Sequence, residues 1–101
     1  MQETNYILRP TQEDKVRVLF LENRGKIRHF VVQYHALIDS RWKTIMRIDT
    51  CHGYAHKHTL HARDKEYVVR LPGNLNTVFT EARGFILENY LKIKENYLGS
   101  K

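Results

Sequence analysis

Apolar and polar residues alternate through most of the first seventy positions, and then the period changes. "KVRVLFLE" (15–22) is rich in β-forming residues, with Val16, Val18 and Phe20 on one side. "IRHFVVQYHALI" (27–38) is a long alternating run. Its even positions, Arg28, Phe30, Val32, Tyr34, Ala36 and Ile38, form the inward face; His29, Gln33 and His35 point the other way. "RWKTIMRID" (41–49) repeats the pattern, with Trp42, Met46 and Ile48 on one side and Lys43, Arg47 and Asp49 on the other.

Turn residues join these runs into a meander. Gly25 in "ENRGK" suits the left-handed position of a three-residue hairpin loop, pairing Phe20 with Arg28 and Val18 with Phe30. Taking Asp39, Ser40 and Arg41 as the next loop sets Ile38 against Trp42 and Tyr34 against Met46. The same parity sets Gln33 opposite Arg47 and Val31 opposite Asp49 on the outer face. A slip of one residue would bury charges, so the register is well specified. Gly53 marks a bend, and 56–62 with 66–71 form another hairpin. Pro72 and Gly73 end the strands.

From Asn74 the spacing becomes three and four: Leu75, Val78, Phe79, Ala82, Phe85, Ile86, Tyr90, Ile93 and Tyr97. That is the stripe of one amphipathic helix. Asn74 or Asn76 is the candidate N-cap, Gly99 the stop, and Gly84 suggests a close approach within the helix. The fold class predicted is α+β. An antiparallel β-meander of four to five strands has one long C-terminal helix packed on one face, because neither the sheet's apolar side nor the helix's stripe is stable in water alone. The expected organisation is a single domain over 1–101: a polar lead (1–14) with a short strand at 6–8, the meander (15–71) and the helix (74–98).

Composition narrows the class. The chain has 101 residues, of which 42% are hydrophobic, so it can bury one core. No run approaches the roughly 18 apolar residues of a membrane span, and "MQETNYILRP" is no signal segment. The single cysteine, Cys51, makes no internal disulfide, fits a reducing compartment and reads as a small buried filler. A cytoplasmic location is the expectation.

Net charge is +6, and residues 15–70 carry twelve Lys and Arg against five acids. A basic domain of this kind attracts polyanions by counterion release, which points to RNA or another phosphate-bearing partner.

The candidate chemistry is concentrated in "RIDTCHGYAHKH" (47–58). Arg47 and Asp49 leave one strand end on the same side. Arg47 can hold a phosphate or pin Asp49, and Asp49 can orient the His52 ring. Metal-free phosphodiester cleavage needs a base for the 2′-hydroxyl, an acid for the leaving oxygen and a cation. His52 with His56 or His58 supplies the pair, and Arg47 or Lys57 the cation; only RNA has the hydroxyl. The catalytic candidates are therefore Asp49, His52, His56 and Arg47, with Lys43, Tyr54, Lys57, His58 and His35 as RNA contacts. A metal-dependent hydrolase is the alternative, with His52, His56 and His58 gripping zinc or another divalent metal. The first reading needs no cofactor. Trp42 and Tyr34 belong by parity to the core, which leaves Tyr54 as the stacking aromatic.

The segment "WKTIMRIDTCHGYAHKH" resembles an uncharacterised family of short prokaryotic proteins whose core is a Trp followed by R-x-D-T-x-H-G-x-x-H; the likeness runs from about Phe30 to Tyr97. More distantly it is similar to TumE-type toxins of toxin–antitoxin pairs, in which a comparable strand end precedes paired histidines. Arg47, Asp49, His52, Gly53 and His56 carry the match. Where those toxins have adjacent histidines, this chain has H-x-x-x-H. The resemblance implies a growth-inhibiting, ribonuclease-like toxin with a cognate antitoxin as partner. The rival from another class is a non-catalytic module that binds nucleic acid or a protein, with a homodimer through helix residues such as Leu91 and Leu98 as a further option.

Overall fold

The computed structural model describes residues 1–50, 54–60 and 66–99. Six strands run in chain order: β1 (Gln2–Thr11), β2 (Asp14–Asn23), β3 (Lys26–Ile38), β4 (Arg41–Asp49), β5 (Ala55–Leu60) and β6 (Glu66–Leu71). They form one antiparallel sheet in the order β1-β2-β3-β4-β5-β6, and α1 (Leu75–Gly99) follows. The predicted α+β meander with a C-terminal helix is therefore the observed architecture, with one strand more than expected. The extra strand is β1. Residues 1–14, expected as a polar lead with only a short strand at 6–8, pair along β2 from Gln2↔Glu22 to Leu8↔Val16. Polar alternation on an edge strand is ordinary, because only one of its faces needs to be apolar.

The helix covers the face expected. Val16, Val18, Phe30, Val32, Tyr34, Met46 and Ile48 from the sheet meet Val78, Phe79, Ala82, Ile86, Ile93 and Tyr97 from α1 in one core. Phe79 wedges between Phe20 and Phe30, with ring centroids at 5.0 and 5.4 Å. Asn74 caps the helix, its Oδ1 accepting the Asn76 and Thr77 N–H groups. Asn76 fastens the helix start to the β2–β3 turn. Its Oδ1 accepts the Ile27 N–H and its Nδ2 donates to the Gly25 carbonyl, both at 2.9 Å.

Two hairpins are tighter than predicted, and this changes which side chains face outward. Arg24 and Gly25 have φ of 53° and 76°, and Asp39 and Ser40 have 52° and 63°. Both loops are thus two-residue turns of the mirror-image type, whose twist matches the strands. The first, followed by a bulge that leaves Arg28 unpaired, sets Phe20 against Phe30 and Val18 against Val32, two residues on from the expected partners but on the expected face. The second sets Ile38 against Arg41 and Leu37 against Trp42. Parity is then restored by a bulge: Thr44 faces His35 and Met46 faces Tyr34, and Ile45 between them is buried.

Three expectations fall with that bulge or with the packing. Trp42 lies on the outer face, 39% exposed, and not in the core. Lys43 pairs with Ala36 and so projects to the helix side of the sheet, away from Arg47. Gly84 has nothing within 4 Å of where a Cβ would sit, so no close approach explains it.

One buried polar group was not foreseen. Asp14 is sealed under the end of α1, where it accepts hydrogen bonds from Tyr34 Oη (2.5 Å), Thr11 Oγ1 (2.6 Å) and Lys94 Nζ (3.3 Å). Burial pushes its pKa up, but those three donors and the lysine charge outweigh burial and hold it below the ordinary value. Burial, reinforced by the same carboxylate, drives the Tyr34 hydroxyl well above its ordinary value.

Candidate functional site

The outer face consists of rows of side chains that cross the strands. One row runs Arg17, Gln33, Arg47, His58, Val68; the next runs Leu19, Val31, Asp49, His56, Arg70. The Gln33↔Arg47 and Val31↔Asp49 pairings are those the sequence predicts. Side chains two apart on one strand share a face, so Arg47 and Asp49 stand beside His56 and His58.

Thr50 fixes the end of β4. Its N–H donates to the Phe30 carbonyl, its Oγ1 accepts the Phe30 N–H at 3.1 Å, and the same oxygen lies 2.7 Å from His29 Nδ1. The strand end is therefore anchored to β3 before the chain turns, and Asp49 is held on its face, buried.

A chain of ionisable side chains then crosses β4, β5 and β6. Arg47 Nε lies 2.7 Å from Asp49 Oδ2, an ion pair whose N–H is not aligned for a hydrogen bond. Asp49 Oδ1 faces His58 Nε2 at 3.9 Å. On the other side of that ring, Nδ1 contacts Glu66 Oε1 at 2.7 Å. The imidazole is thus held between two carboxylates, with Nε2 buried and without a hydrogen-bond partner among the described residues. His56 sits beside it, ring centroids 6.1 Å apart, and packs on Tyr54 at 4.5 Å. The Arg70 guanidinium lies 4.3 Å from the Tyr54 ring centre.

A second group occupies the β2–β3–β4 part of the same face. Lys15 Nζ lies 4.2 Å over the Trp42 ring. His35 Nδ1 contacts Thr44 Oγ1 at 2.8 Å. Burial, then the charges of Lys15 and Arg17, hold the His35 pKa below its ordinary value, so this imidazole is neutral where a free one begins to charge.

Among the sequence-predicted residues, Arg47, Asp49, His56 and His58 come together, Tyr54 is beside them, and His35 shares their face at a distance. Lys57 does not join them. It pairs with Ile48 on the helix side, with Nζ 5.1 Å over the Phe85 ring. Lys43 is on that side too. His52, Gly53 and Cys51 lie outside the described residues, as does His61. Among the described residues no three His, Cys, Asp or Glu side chains gather closely enough to hold a metal ion. Glu66, Thr50, Arg70 and Trp42 were missed. The alternation in "EYVVRL" could have placed Glu66 and Arg70 on the histidine face once the β5–β6 register was known.

Among the described residues no helix is long and apolar enough to cross a membrane. Neither a curated protein nor a solved structure matches the chain. A family model does match, across residues 1–101, and the chain belongs to that family, a domain of unknown function designated DUF7718.

Proposed function

We propose that the outer face of the sheet binds single-stranded RNA. The observation that carries this reading is the pairing of cations with exposed aromatic rings on one face: Lys15 over Trp42 and Arg70 over Tyr54. Bases stack on such rings while the adjacent charge meets the phosphates. Of the acids of this part of the face, Asp49 is buried and paired with Arg47. Arg17 adds a further exposed cation in the adjoining row. The net charge of +6 favours the same class of partner.

Trp42 is the chain's single tryptophan, so its fluorescence reports on this face alone. Adding unlabelled single-stranded RNA changes that emission saturably, and Trp42→Phe with Tyr54→Ala weakens binding measured by anisotropy. Unchanged emission together with no association would refute the reading.

A second reading, metal-independent RNA cleavage, is favoured by His56, which stands opposite Asp49 in register and on the same face as Arg47. In it His56 takes the 2′-hydroxyl proton as the oxygen attacks phosphorus, His52 protonates the leaving 5′-oxygen, and Arg47 meets the charge on the phosphate. The growth-inhibiting toxin and its antitoxin partner, implied by the likeness to TumE-type toxins, go with this reading. Wild-type protein then cuts an RNA oligonucleotide and spares its 2′-deoxy counterpart, and His56→Ala and His52→Ala each stop cutting. RNA bound but left intact by the wild-type chain would eliminate this reading and leave the binding module.

A further inference from the structure

The sheet ends on β6 with the strand exposed on both faces: Tyr67 is 59%, Val68 53% and Val69 50% exposed. The two edges of the sheet differ. On β1 the pairing register breaks between Leu8 and Thr11, around Pro10, which blunts that edge. On β6 the register to β5 is unbroken from Glu66 to Leu71, the strand contains no proline, and β-branched residues sit at its centre. An edge of this kind is a template for another strand.

We propose that β6 pairs with β6 of a second copy of this chain, antiparallel about a two-fold axis through Val68, joining the two six-stranded sheets into one. The strand is self-complementary about that centre. Val68 meets Val68 of the second copy, and Tyr67 meets its Val69 on the helix side. On the outer face Glu66 meets Arg70 of the second copy, and Arg70 meets its Glu66. Shifting the pairing by two residues in either direction loses both charge pairs, setting Glu66 against Val68 or Arg70 against Val68. A shift by one would turn the second helix to the opposite face. Directly opposed charges and β-branched pairs are what stabilise neighbouring strands. The pairing also brings a guanidinium of the second copy to Glu66, the carboxylate that contacts His58. It stands independently of any RNA activity.

Sedimentation equilibrium of the full chain tests it. The wild-type chain sediments as a dimer of the 12.1 kDa protomer. Val68→Lys, which sets two like charges face to face on the axis, gives monomer. Glu66→Arg and Arg70→Glu each weaken association about tenfold or more, and the double variant Glu66→Arg/Arg70→Glu restores it. Circular dichroism verifies the fold of each variant, and if Val68→Lys fails to fold the charge-exchange set decides alone. A wild-type chain that stays monomeric, a dimer indifferent to these changes, or a double variant no tighter than the single ones would overturn the proposal.

Discussion

His58 Nδ1 lies 2.7 Å from Glu66 Oε1 across the β5–β6 hairpin. A carboxylate only accepts, so when His58 is neutral its proton resides on Nδ1 and the lone pair of Nε2 faces Asp49. Long-range ¹H–¹⁵N spectra of the imidazoles should show that tautomer, and Glu66→Ala should shift the proton toward Nε2. Glu66 is partly exposed, so the same change costs less than about 1 kcal/mol of stability. A tautomer unmoved by Glu66→Ala would mean that the contact does not orient the ring.

Among the described residues, Tyr34 and Asp14 form the most buried polar pair. Tyr34→Phe leaves the carboxylate short of one donor in a sealed site, and should lower the unfolding free energy by about 1–3 kcal/mol in urea titrations. Because the Asp14 pKa is lowered in the fold, its contribution is complete above the ordinary value of 3.8 and is lost as pH falls through the lower folded value. Asp14→Asn removes that acid-side loss, while lowering stability at neutral pH.

His35 has the same sign for a different reason. Its folded pKa lies below the ordinary 6.5, chiefly through burial and then through Lys15 and Arg17. The stability it contributes is present above 6.5 and is lost as pH falls through the folded value. Chemical denaturation at a series of pH values should show this loss in the wild-type chain and a shallower one in His35→Gln.

Gly84 lies inside α1 with open space where a side chain would begin. Gly84→Ala should therefore stabilise the chain, by about 0.8–1 kcal/mol, as measured by the shift in denaturant midpoint. A destabilised variant would reveal a contact that the structure does not contain.

The alternation in 27–38 and 41–49 was enough to identify the buried face, and it set Gln33 and Val31 opposite Arg47 and Asp49 correctly. It failed at Trp42 and Lys43. Both failures come from one two-residue turn at Asp39–Ser40 and one bulge at Ile45, which cancel each other before Met46. A strict two-residue period cannot register a pair of compensating irregularities, and the cost was Trp42, taken as core although it lies beside Lys15 on the open face. In the same way only 6–8 of β1 was legible as strand, because an edge strand half in water has little apolar signal. The site was legible as far as Arg47, Asp49 and the histidines of β5. Glu66 was not, since its role depends on how β6 registers against β5, and no turn residue in the sequence fixes that register. Asp14 was unreadable for a similar reason: its partners Tyr34 and Lys94 stand twenty and eighty residues away.

The most direct test of the open-face account is the salt dependence of single-stranded RNA binding. The account predicts that log K falls linearly with log salt, and that Lys15→Gln and Arg17→Gln each reduce the slope by about 0.7, the loss of one phosphate contact on a single strand. Binding that is absent at low salt, or a slope that neither substitution changes, would contradict it.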